Sequence, residues 1–192
     1  MNDPNTIKKQ GQQVQEMGLL MAKIAKEFNG WLVEVIDSDE DVEVTAEFSS
    51  KSMAFKAIQT ATRTLLSRTT EVEFQYRIPN SQPGDCEIHW GHTGSFSRTG
   101  IRGRAKRGGE KGQKISDLLT ADQTFYEAFF PLDSKHFHLV QDEHGWMVKT
   151  GQMGAAWLAI KFPPTKRYIP MGQDQVDSLI KTFEALNKFF ST

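Results

Sequence analysis

Residues 71–78 read EVEFQYRI. Val72, Phe74, Tyr76 and Ile78 alternate with Glu71, Glu73, Gln75 and Arg77. Successive side chains of a strand point to opposite faces, whereas a helix would scatter these apolar residues around its circumference. The segment is therefore predicted as a strand with one face on a core and the other in water. PNSQPG follows with the residues of a turn, and DCEIHW is expected to return the chain as a hairpin.

The same period of two recurs on both sides. Val42, Val44, Ala46 and Phe48 alternate with Glu43, Thr45 and Glu47, and the run from Trp31 to Ile36 is the expected partner across the polar DSDED. HFHLV, GWMVKT and AAWLAIKF are predicted as strands, with DEHG as a turn and Pro163-Pro164 closing the last one.

Other segments step by three and four, as a helix does. Val14, Met17, Met21, Ile24 and Phe28 form one stripe, predicting a helix from about Thr6 to Phe28 that ends at Asn29-Gly30. A second helix is predicted after Ser49-Ser50, with Ala54, Ile58, Ala61 and Leu65 inward. A third starts near Thr120, where TADQ has capping-box form, and ends at Phe130 before Pro131. The last starts near Asp174 with Val176, Leu179, Ile180, Phe183, Leu186 and Phe190 as its stripe. The order is α-ββ-α-ββ(β)-α-βββ-α. Strands joined by short turns predict a mostly antiparallel sheet with four helices on one face, an α+β fold. No G-x-G-x-x-G links a strand to a helix, which argues against a dinucleotide fold.

NGWLVEV at 29–35 and HGWMVKT at 144–150 share a Gly-Trp and the pattern behind it. A drifted tandem duplication of an α-ββ-α unit would leave such a trace. Its halves would be about 6–68 and 116–192, joined by the hairpin and basic loop at 71–114, within one compact domain spanning 1–192. Two unrelated strand entries account for the match as well, since Gly reverses a chain and Trp anchors a sheet.

A chain of 192 residues buries about 70% of its unfolded surface and needs no disulfide or metal staple. The formal net charge is −1, so there is no global pull toward nucleic acid or anionic lipid. Cys86 is the one cysteine, which excludes an intramolecular disulfide and points to a reducing compartment. No signal-like apolar stretch opens the sequence, and its apolar runs fall well short of the roughly 20 residues that cross a bilayer. A soluble cytoplasmic protein without a membrane partner is expected.

The strongest compositional anomaly is SFSRTGIRGRAKRGGEKGQK at 95–114, read as a short strand and a mobile basic loop. Arg98, Arg102, Arg104, Lys106, Arg107, Lys111 and Lys114 are opposed there only by Glu110. Glycines let backbone N–H groups approach an anion, so this segment is the candidate contact surface for an anion or partner. It is not a P-loop, because Gly109 and Glu110 stand where Lys and Ser or Thr are needed. Lys161, Lys166 and Arg167 in KFPPTKRYIP form a second basic patch, one wall of a groove or a stiff connection.

Other chemistries are weaker. Asp37–Glu43 begins like an EF-hand loop, but Val42 and Phe48 replace the glycine and the bidentate acid. Alternation puts Cys86 with Ile88 and Trp90, and Glu87 with His89 on the other face, which argues against a Cys–His dyad. His136 and His138 share a face and, with His89, His92 or Asp142, have the donors for a metal; simple solvation explains them too, and no metal or cofactor is expected. G-x-S-x-G is absent. The expected function is a non-enzymatic accessory or regulatory protein that binds an unknown protein or anionic partner through the basic segment. Nucleic acid or a phosphorylated ligand is the alternative, and an enzyme without a familiar motif comes third.

Overall fold

The computed structural model describes residues 19–37, 44–79, 81–94 and 97–191. Residues 19–27 form helix α1. The strands are β1 (Leu32–Asp37), β2 (Val44–Ser49), β3 (Ala54–Arg63), β4 (Ser67–Arg77), β5 (Cys86–Thr93), β6 (Gly100–Arg107), β7 (Ser134–Asp142), β8 (Gly145–Gln152), β9 (Ala156–Ile160) and β10 (Thr165–Ile169). Helices α2 (Gly109–Ala121) and α3 (Gln123–Phe129) separate β6 from β7, and α4 (Gln173–Phe190) closes the chain. Among the described residues, four helices and a ten-stranded antiparallel sheet make the fold α+β, as expected. No helix among the described residues is long and apolar enough to cross a membrane.

The chain forms two compact units, residues 1–73 with 154–171, and residues 74–153 with 172–192. In the first, strands pair in the order β1-β2-β3-β4, with β9 on the other edge of β4 and β10 outside β9. Leu20, Met21 and Ile24 of α1 and Phe28 just after it are buried with Val44, Ala46 and Phe48 of β2 and Phe55 and Ala57 of β3. Burying each of the larger of these side chains contributes about 1.5–3 kcal/mol. The Phe48 and Phe55 rings stack at 5.2 Å, on opposed residues of β2 and β3.

In the second unit the order is β4-β8-β7-β5-β6. The core side of EVEFQYRI is as its alternation requires, with Val72, Phe74, Tyr76 and Ile78 buried. Val176, Leu179, Phe183 and Leu186 of α4 are buried too, and Phe183 stacks on Tyr76 at 4.8 Å.

Four expectations are corrected. The helix predicted after Ser50 is strand β3. Its inward residues are Phe55, Ala57 and Gln59, and small and polar groups at alternate sites hide the period of two. β4 and β5 do not make a hairpin: β8 and β7 lie between them. The basic segment is not a loop but strand β6 followed by α2, which starts after Gly108 at φ 91°. The third helix begins well before Thr120. Thr120 sits inside α2, and Asp122 caps α3 by accepting from the Phe125 N–H at 2.8 Å.

The Gly-Trp parallel keeps its turns, and its flanks agree in part. Gly30 and Gly145 both have positive φ, 84° and 98°. Phe48 is fully buried while Phe162 is exposed, and in both places a strand follows where a helix was expected, β3 after β2 and β10 after β9. The acidic turn and the start of the first predicted helix fall outside the described residues.

Candidate functional site

The strands of the second unit carry two unlike faces. Cys86, Ile88 and Trp90 of β5, Phe137 and Leu139 of β7, and Trp146 and Val148 of β8 are all buried. The helices cover this side: Trp90 meets Phe125 of α3 at 5.7 Å, and Phe137 meets Phe129 at 4.8 Å. The alternate residues lie on the opposite face. They are Arg102 and Arg104 of β6, Glu87 and His89 of β5, His136 and His138 of β7, and Lys149 of β8.

Register aligns these residues. Arg104 is opposite His89, His89 opposite His138, and His138 opposite Lys149. Four basic side chains thus form one row across four neighbouring strands. At the usual strand spacing the row is about 14 Å long.

At its centre the His89 and His138 imidazoles stack at 3.7 Å, 15° from parallel. His136 lies 5.0 Å from His138. It crosses over Gly151, where an added Cβ would come within 2.5 Å of the His136 ring. Glu87 is the acid of the cluster. Its Oε1 is 2.6 Å from His89 Nε2, and its Oε2 is 3.6 Å from Arg107 Nη2. The hydrogen bond to His89, with the Arg107 and His138 charges behind it, holds the Glu87 carboxyl below its ordinary range. The donor atoms of Glu87, His89 and His138 all lie within 4.8 Å of one another.

The basic residues singled out from sequence are dispersed. Arg102 and Arg104 are exposed on the open face, with Lys106 exposed near the end of β6. Arg107 pairs with Asp85 at 3.1 Å as well as with Glu87. Arg98 is engaged elsewhere: its Nη1 donates to the carbonyls of Phe130 and Pro131, and its Nη2 pairs with Asp133. Lys111 and Lys114 stand on α2, which packs on the other side of β6. Lys161, Lys166 and Arg167 belong to the first unit, around the β9–β10 hairpin. There Lys166 and Lys23 lie over the Trp157 ring at 5.2 and 5.4 Å.

The other sequence candidates separate in the same way. His92 faces the helices, stacked on Phe129 at 5.2 Å with Nε2 3.0 Å from the Phe130 carbonyl; burial pushes its pKa down. Asp142 is held by Arg77 at 2.6 and 3.0 Å. Cys86 is buried, and its thiol, pushed up by burial, donates to the Arg107 carbonyl on the side away from His89. His89 with His138 was among the expected donor sets, but Lys149 and the place of Glu87 beside the two histidines were not singled out. The sequence signal was two i, i+2 polar pairs, Glu87-x-His89 and His136-x-His138, whose register only the sheet supplies.

Fold and face together define an α+β protein with a helix-covered core and a basic, histidine-centred open sheet face. The chain belongs to the family described as "Protein of unknown function (DUF3156)", whose model matches residues 26–190. No curated protein and no solved structure matches it.

Proposed function

We propose that this chain is a non-enzymatic binding protein that receives an acidic polypeptide segment on the open sheet face of its second unit. The row Arg104–His89–His138–Lys149 carries this reading. Arg102 extends the row along β6, and Lys106 extends it at the strand end. A row of this length suits an extended chain bearing several carboxylates better than a single small anion. Trp90, Phe137, Trp146 and Tyr76 are all buried on the helix side. The open face therefore offers imidazoles but, among the described residues of these strands, no Phe, Tyr or Trp platform for unstacked bases. That favours a polypeptide over single-stranded nucleic acid. The patch at Lys161, Lys166 and Arg167 is a separate contact surface on the first unit.

The test is a fluorescence-anisotropy titration of a labelled Asp/Glu-rich peptide and of single- and double-stranded oligonucleotides, at low and moderate salt. The comparison is with a variant carrying Arg102→Glu, Arg104→Glu and Lys149→Glu. Peptide binding that the variant loses is expected. Oligonucleotide binding tighter than peptide binding, also lost in the variant, would transfer the face to nucleic acid. No binding of either at low salt would overturn the reading.

A further inference from the structure

We propose that Glu87, His89 and His138 form a binding site for a divalent first-row transition-metal ion. Two imidazole nitrogens and a carboxylate oxygen suit zinc and its neighbours. The three donor atoms already lie within 4.8 Å of one another. Around an ion with bonds of about 2.0–2.2 Å, donors stand about 3–4 Å apart. Closing that gap takes side-chain rotation alone: the His89 ring turns from the Glu87 oxygen it now contacts at 2.6 Å toward a shared ion. No backbone movement is needed. Glu87 and His89 are two residues apart on β5, His138 is directly opposite His89 on β7, and both strands are held in the ladder.

Two further features fit an ion. Arg107, 3.6 Å from the second carboxylate oxygen, orients Glu87 from outside the donor set. All three donors rise from one side of the sheet, so positions facing solvent stay open, the arrangement of a ligand-binding rather than a closed structural site. The ion and Glu87 together carry a net positive charge beside Arg104 and Lys149. An anionic oxygen is the natural occupant of the open positions. That last step rests on the binding function proposed above; metal uptake itself does not.

The neighbouring cations give the site a signature. Arg104 lies opposite His89 and repels a bare metal ion while attracting an anion. Replacing it therefore moves the two affinities in opposite directions.

The experiment uses the full chain, stripped with a chelator and desalted. Cobalt uptake is followed by its visible absorption, and zinc uptake by competition with a chromophoric chelator. One equivalent per chain is expected for the wild type. His89→Ala and His138→Ala each abolish stoichiometric uptake, Glu87→Gln weakens it, and Arg107→Gln weakens it about tenfold. Arg104→Gln tightens it severalfold while weakening the acidic peptide. These side chains are part-exposed, so the variants are expected to fold, and circular dichroism with a thermal melt confirms it for each. Uptake that survives in a folded His138→Ala variant, or no uptake by the wild type, overturns the metal site. Metal uptake without peptide binding leaves the site standing and removes the binding function. Full peptide affinity in the stripped protein, with no metal uptake, does the reverse.

Discussion

Gly103 sits in the middle of β6 between the two exposed arginines, and it is predicted to be intolerant of even a methyl group. A Cβ there would collide with Ser116 Oγ on α2 and come 2.5 and 2.7 Å from Nε1 and Cε2 of Trp90. The Trp90 ring cannot retreat freely. It is 4% exposed, its Nε1 donates to Thr120 at 3.3 Å, and it packs edge-on to Phe125 and Phe137. Over-packing of this kind costs about 1–3 kcal/mol. At the middle of that range Gly103→Ala lowers Tm by about 4–8 °C for a chain of this size. Ser116 supplies the control. Its hydroxyl is fully buried and makes no hydrogen bond among the described residues. Ser116→Ala therefore removes an unsatisfied polar group and is expected to raise stability by about 1 kcal/mol. It also clears one of the two obstructions, so the double variant recovers part of the Gly103→Ala loss. Calorimetric or dichroic melts of the four proteins measure both the single effects and their coupling. An unchanged Tm in Gly103→Ala, or strict additivity with Ser116→Ala, would refute the close approach of α2 to β6.

Three further outcomes are expected. Glu27 accepts from Tyr168 Oη at 2.5 Å and from the Met171 N–H at 2.9 Å, so Glu27→Ala strands two donors and costs about 2–3 kcal/mol in a denaturant titration. The hydrogen bonds from Arg77, opposed by burial of the Asp142 carboxyl, hold Asp142 below its ordinary 3.8; the stability this pair contributes is present above that value and fades as pH falls through the lower folded value. Both partners are over a third exposed, so the pair is worth about 1 kcal/mol at neutral pH, and Asp142→Asn should flatten the acid limb of stability against pH by that amount. Burial, with the Glu184 charge second, pushes Tyr76 from 10.0 up to about 12, so the stability tied to its neutral form is full below 10.0 and is lost as pH rises through about 12; Tyr76→Phe should remove that part of the alkaline loss, read by thermal melts at high pH.

What could be read from the sequence follows from how each residue's neighbours are chosen. EVEFQYRI and the α4 stripe have large apolar residues at every inward position, so local period alone gives their state and their buried face. β3 hides its period because Ala57 and Gln59 occupy inward sites between Phe55 and the turn. In the basic segment, glycine misleads. Gly103 admits α2 against the strand. Gly108 takes a left-handed φ of 91° at the start of the helix, and Gly112 passes within a Cβ's contact of the Cys86 sulfur. These glycines serve close packing. From composition they look the same as glycines that serve mobility. The Glu87–His89–His138 cluster depends on β5 pairing with β7, residues some 50 apart in the chain. Alternation placed each pair of polar residues on a face correctly, but no local signal says which strands become neighbours once the expected β4–β5 hairpin fails to form.

The packing of α2 also bears on how the open face would bind. Gly103 and Gly112 bring the helix close on one side of β5 and β6, which leaves the opposite side, with Arg104 and His89 in register, little freedom to rearrange. A ligand on this face would find the strands that carry its charges already placed, so no ordering of loops would oppose binding. Affinity for the proposed acidic segment would then come from long-range attraction along a row of about 14 Å, longer than the Debye length of about 8 Å at physiological ionic strength. Charges at the two ends of the row are screened from each other but not from a carboxylate lying between them, so binding through the row alone falls steeply with salt. Bonds from an anionic oxygen to an ion held by Glu87, His89 and His138 are short-range and nearly indifferent to salt. The salt slope of peptide binding, measured with and without one equivalent of zinc, therefore separates the two contributions: a slope that flattens on adding the ion places the ligand on the metal, and an unchanged slope places it on the arginines and lysine alone.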